Sequence, residues 1–196
     1  MPLTSVLYPR GPYQLGERLH AIGEDGAIPQ MPGWRWIHTP GHTPGHISLF
    51  RDEDRTLLAG DAFITTNQES AYSVVTQKPE MTGPPSYFTS DWEAAELSVQ
   101  RLAGLFPVIM ATGHGQPVTG TEASNALQVL ADNFQERAMP SRGRYVRSPA
   151  VADERGVRSI PPLPNANKAA RIATGVALAA ALWMVWSRRR RSPYWS

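Results

Sequence analysis

Residues 34–62 read WRWIHTPGHTPGHISLFRDEDRTLLAGDA, and the fold turns on how this stretch alternates strand formers with glycine-rich turns. Trp34 to His38 is rich in aromatic and β-branched residues, which suit a pleated strand. It runs into a Gly/Pro-rich loop, Thr39 to Gly45. His46 to Phe50 reads as a second strand, and Arg51 to Arg55 as a polar hairpin turn. Thr56 to Ala59 reads as a third strand that stops at Gly60 and Asp61. Strands this close in sequence are expected to pair antiparallel with their neighbours. The unit HTPG occurs twice within 38–45, and no longer repeat accompanies it.

Downstream, residues 63–89 hold no strong period and contain Pro84–Pro85, so they read as loop. Ser90 followed by Glu93 has the spacing of a capping box. Behind it Ala95, Val99, Leu102 and Phe106 recur at helical spacing, predicting a helix with one apolar face that Pro107 terminates. Val108 to Ala111 is a short apolar strand leading into Thr112-Gly113-His114-Gly115. A second helix is expected with Thr121 near its start and Ala123, Leu127, Leu130 and Phe134 on one face. Upstream, the first thirty residues are broken by Pro and Gly, with a turn at Glu24-Asp25-Gly26. The class is α+β.

Charge is unevenly placed. Residues 1–164 hold 13 Lys/Arg against 17 Asp/Glu, whereas Lys168, Arg171 and Arg188 to Arg191 stand in a tail with no acid. An acidic body repels phosphate at long range, so a nucleic-acid surface is not expected. The absence of cysteine excludes disulfides, thiolate nucleophiles and Cys-based metal sites. Met139 to Pro164 is loose and Pro-rich, and Ile172 to Ser187 is uncharged for 16 residues. At about 1.5 Å per residue that run spans roughly 24 Å, near the thickness of a hydrocarbon core of about 30 Å once Arg171 snorkels. The expected organisation is a body over 1–138, a Pro/Arg-containing linker over 139–168, a transmembrane helix over 169–187 and a basic tail over 188–196. Such an organisation implies a single-pass or membrane-attached protein. The N-terminal residues show no apolar signal region, which places the body by default in the cytoplasm.

Three residues carry the chemistry. His42 lies in the loop ThrProGlyHisThrProGlyHis, Asp61 closes the third strand, and His114 sits in the loop after the fourth. Each comes after the C-terminal end of a predicted strand, where loops converge above a sheet. Imidazole nitrogen and carboxylate oxygen are the donors that Zn²⁺ and similar ions take. His38 is expected to belong to its strand, and His46 to support the loop as a hydrogen-bond partner outside the site. One histidine alone is more often structural than a ligand. The ordered series, with Asp61 about nineteen positions after His42 and a GlyHisGly after the next helix and strand, is far more specific.

From about Trp34 to Gly120 the chain resembles the second half of the metallo-β-lactamase superfamily, most of all its glyoxalase II-type thioesterases and lactonases. The resemblance implies that His42 ligates one metal, that Asp61 bridges two and that His114 ligates the second. It also implies an αβ/βα sandwich with the site at one edge, one or two Zn²⁺ ions, and hydrolysis of an ester, thioester or lactone in a small-molecule substrate. The family's earlier HxHxDH motif is missing, since His20 is the one histidine before His38. Four of the family's seven usual ligands are absent with it, as are the strands that would cover the other face of the sheet. The expected function is therefore a metal-dependent hydrolase, N-terminally incomplete and inactive or weakly active alone. A missing-half polypeptide or a second copy is its expected partner. The alternative is a non-catalytic, membrane-attached interaction module derived from the same fold.

Overall fold

The computed structural model describes residues 16–18, 21–153 and 156–163. The chain divides into two units between Pro161 and Pro162, and the first contains the sheet, the helices and the three chemistry-bearing residues. Strands β1 (Trp34–His38), β2 (Ile47–Arg51), β3 (Thr56–Gly60), β4 (Ile109–Thr112) and β5 (Val118–Thr119) form one sheet in that order. β1, β2 and β3 pair antiparallel as the short turns require. β3 pairs parallel with β4, because the chain between them crosses over through a helix. The edge of β1 is not bare. The Trp36 N–H donates to Gly26 O at 2.8 Å, and its indole N–H donates to Gly23 O at 2.9 Å.

The two faces of the sheet differ. Phe50, Leu57 and Met110 align across β2, β3 and β4 and are buried. With Ile37 and Ala59 they pack against helices α2 (Trp92–Ala103) and α3 (Gly120–Asp132) and the short α4 (Phe134–Arg137). Val99, Leu102, Leu127, Leu130 and Phe134 supply the helical side of this core, at the spacing read from sequence. On the opposite face Trp36, Leu49, Leu58 and Ala111 line up in register, and every one is only half-buried. The α+β class and a single-sided layer of helices on sheet are thus as the sequence implies.

Several details depart from expectation. The N-cap of α2 is Asp91, whose carboxylate accepts from the Ala94 N–H at 3.0 Å. Ser90 instead anchors the preceding turn: its backbone N–H and that of Asp91 both donate to Gly41 O at 3.0 Å. Phe106 does not extend the apolar stripe. α2 ends at Ala103, Phe106 takes φ 49 and is 58% exposed, and the Arg55 guanidinium holds the Leu105 and Phe106 carbonyls. Within the expected loop, α1 (Ala71–Thr76) forms under a Ser70 cap, too short and too β-branched to show a period. Segment 139–161 carries a hairpin, β6 (Val151–Asp153) with β7 (Gly156–Ser159), and packs Met139, Tyr145 and Val146 on the core. The expected helix over 169–187 and tail over 188–196 lie outside the described residues. Among the described residues no helix is long and apolar enough to cross a membrane.

Substitutions at the cap and in the core separate these contributions. Asp91→Ala is expected to lower the unfolding free energy by about 1 kcal/mol in urea titrations. Glu93→Ala should change it by less than about 0.5 kcal/mol, and equal losses would reject Asp91 as the cap. Leu102→Ala, fully buried between sheet and helices, is expected to cost about 2–5 kcal/mol.

Candidate metal centre

The loop after β1 rests on α2. Ser98 Oγ donates to Pro40 O at 2.6 Å, and the α2 start holds Gly41 O, so His42 is placed from both sides. Asp61 comes directly after β3, whose backbone is paired on both edges. His114 comes after β4, and its carbonyl receives the Thr112 hydroxyl at 2.7 Å and the Thr65 N–H at 3.1 Å. Thr65 Oγ1 also donates to Gln116 O at 2.8 Å, which closes the turn around His114. The parallel pairing of β3 with β4 therefore sets Asp61 and His114 side by side.

The three side chains meet. His42 Nε2 lies 3.4 Å from Asp61 Oδ2, and His114 Nε2 lies 3.7 Å from Asp61 Oδ1. The imidazoles address opposite oxygens of one carboxylate, and Oδ1 is a buried atom without a hydrogen-bond partner. Gly113 backs it closely, since a Cβ there would collide with Oδ1. Among the described residues no three His, Cys, Asp or Glu side chains gather so as to hold one ion. The arrangement is two adjacent donor pairs sharing Asp61, not one triad.

The tautomer of His42 is readable. Thr89 Oγ1, fully buried, donates its one proton to Pro85 O at 2.8 Å. It can therefore only accept from His42 Nδ1, 3.4 Å away, and Nδ1 carries the hydrogen. Nε2 is left as a lone pair aimed at the carboxylate. Burial pushes the His42 pKa below its usual value, with the Asp61 charge opposing and His46 and His114 adding to the drop. His46 is lowered for the same first reason.

Among the described residues, His38 and His46 do not approach the Asp61 carboxylate in this way. His38 Nε2 bonds Pro44 O at 2.8 Å on the exposed side of the loop. His46 touches Asp61 through its backbone rather than its carboxylate, the Asp61 N–H donating to His46 Nε2 at 2.9 Å. Of the loop aromatics, Phe88 and His42 meet edge-on with centroids 6.5 Å apart, and Tyr87 and Phe88 meet in a T-shaped contact at 4.7 Å. Tyr72 is 70% exposed on α1. Sequence spacing gave no hint of Thr89; a hydroxyl before a helix cap reads only as a turn residue.

A histidine whose folded pKa is depressed binds fewer protons folded than unfolded. Its stabilising contribution is full above the unfolded value of 6.5 and declines as pH falls below it. Urea midpoints measured at about pH 7.5 should therefore exceed those at about pH 5.5, and the gap should narrow in His42→Gln. A midpoint independent of pH across that window would show the imidazoles to be unperturbed.

The chain is 51% identical over 130 residues to the "Probable metallo-hydrolase YflN" of Bacillus subtilis (strain 168), covering 66% of this chain and 49% of that protein. It is 30% identical over 103 residues to the "Probable metallo-hydrolase YqjP" of the same organism, covering 53% of this chain and 30% of that protein. The solved structure of TTHA1623 in a di-iron-bound form aligns at 23% identity and TM-score 0.34, over 63% of this chain and 48% of that one. The chain thus spans half or less of the length of these curated relatives. The model of the metallo-beta-lactamase superfamily matches residues 6–114, more than half of the sequence, and the chain belongs to that superfamily.

Proposed function

We propose that this chain contributes one side of a two-metal hydrolase centre, with His42, Asp61 and His114 as ligands and Asp61 shared between the two ions. The observation that carries the reading is the unpartnered Asp61 Oδ1, together with the approach of His42 Nε2 to Oδ2 at 3.4 Å. Two electron-rich atoms facing each other in a partly buried site repel, and a cation between them converts the repulsion into attraction. The donor chemistry suits Zn²⁺ or another divalent ion that takes nitrogen and oxygen.

The donor number is short. Each position receives one imidazole and one carboxylate oxygen, against the three protein ligands usual for catalytic zinc. The described residues supply two donors to each position, and hydrolysis requires further ligands beyond them. When bound, such ions supply polarisation of a carbonyl and activation of water, which suits an ester, thioester or lactone. What these residues do is bind and orient. Thr89 holds His42 in the tautomer with a free Nε2, Asp61 spaces the two positions, and Phe88 offers an apolar edge beside His42 for a substrate's hydrocarbon portion.

The test is metal stoichiometry and affinity of the full chain titrated with Zn²⁺. Asp61→Asn is expected to weaken binding at both positions by about tenfold or more, whereas His42→Ala and His114→Ala each weaken one. Equal zinc retention by wild type and Asp61→Asn would end the proposal.

A further inference from the structure

His46 is a half-buried imidazole that the proposed ligand set does not use, and its two nitrogens are both committed. The Asp61 N–H can only donate, so His46 Nε2, 2.9 Å away, is unprotonated. The Thr39 carbonyl can only accept, so His46 Nδ1, 3.1 Å away, carries the hydrogen. Two backbone groups thus fix one neutral tautomer without reference to any side-chain proton.

The chain of bonds continues beyond the ring. Thr39 Oγ1 lies 2.8 Å from Nδ1 and 2.9 Å from Ser48 Oγ, and the Ser48 hydroxyl donates to Ala59 O at 3.0 Å. Since the Ser48 proton is committed to Ala59, Ser48 accepts from Thr39, and Thr39 Oγ1 accepts a share of the Nδ1 hydrogen. Every donor and acceptor in the series is then satisfied. Its ends are Ala59 C=O and Asp61 N–H, the two residues flanking Gly60. Thr39 and Ser48 are fully buried.

Gly60 makes the approach possible. Its φ is +57, and a Cβ there would stand 2.6 Å from His46 Nε2. On the far side, the Gly113 N–H donates to Gly60 O at 2.8 Å. The peptide that carries the Asp61 carboxylate is therefore gripped by an imidazole from β2's entry and by a glycine from β4's exit.

We propose that His46, linked through Thr39 and Ser48 to Ala59, is a positioning residue that sets the direction of the Asp61 carboxylate between His42 and His114. This rests on the reading of Asp61 as the shared ligand, since only a bridging carboxylate needs both oxygens aimed at once. A rotation of the Gly60–Asp61 peptide would move Oδ1 and Oδ2 together, and so degrade both positions.

The experiment uses the full chain with His46→Leu, which fills the space without an acceptor, and His46→Gln, which returns an acceptor oxygen near the place of Nε2. Asp61 amide hydrogen exchange by NMR is expected to accelerate about 100-fold in His46→Leu while the Leu57 amide stays unchanged. Affinity for Co²⁺, read from its visible absorption, should fall about tenfold to hundredfold in His46→Leu and return to within about threefold in His46→Gln. An unchanged Asp61 amide in His46→Leu overturns the brace. A loosened amide with unchanged Co²⁺ affinity overturns its positioning role. Failure of the wild type to bind Co²⁺ would sink the metal reading instead, while the amide result still decides the brace. Should His46→Leu not fold, ¹⁵N correlation of the wild-type ring decides: protonated Nδ1 with bare Nε2 supports the brace, and the opposite tautomer rejects it.

Discussion

Strand β3 lies between an antiparallel neighbour and a parallel one, with Leu57 and Ala59 pressed onto the helices. A strand bonded on both edges and buried on one face cannot slip by a residue without turning its apolar side chains outward. The residue just past its end is therefore located to within a bond rotation. In this chain that residue is Asp61. The carboxylate inherits the rigidity of the sheet, and the loops bearing His42 and His114 need only close toward a fixed point. The hydrogen bonds from Ser90, Ser98, Thr65 and Thr112 to loop carbonyls are how they close.

The strands around HTPGHTPGH were legible in the sequence because β-branched and aromatic runs were punctuated by Gly and Pro, and both helices showed their buried stripes. The trio of His42, Asp61 and His114 was legible from order along the chain, and the structure brings those three together. Local rules failed where a competing partner prevailed. Ser90 had the spacing of a cap, yet its backbone is engaged by Gly41 O, and Asp91 stands one position nearer the helix. Phe106 continued an apolar period that the chain reversal after Gly104 cut short. Thr89 and the His46–Thr39–Ser48 series were invisible because hydroxyls separated by many residues carry no periodic signal. Only the folded register puts them in contact.

The half-buried row of Trp36, Leu49, Leu58 and Ala111 is a sheet face of apolar side chains, and the cluster at Asp61 is two imidazoles approaching the two oxygens of one carboxylate. The row lies on the sheet face opposite α2 and α3, whereas the His42 side of the cluster lies beside the start of α2. Apolar sheet faces are ordinarily covered. The curated relatives are about twice the matched length or more.

The parallel pairing of β3 with β4 joins Thr56 to Ile109 across some fifty positions, with the whole of α2 in between. Closing so long a loop costs entropy before any contact offsets it, so this pairing forms late relative to the β1–β2–β3 meander. Asp61 and His114 stand on opposite sides of that seam, while His42 and Asp61 lie within the meander. The contact between Asp61 and His114 therefore depends on docking of the crossover, and so does the placement of His42, whose loop carbonyls are held by Ser90, Asp91 and Ser98.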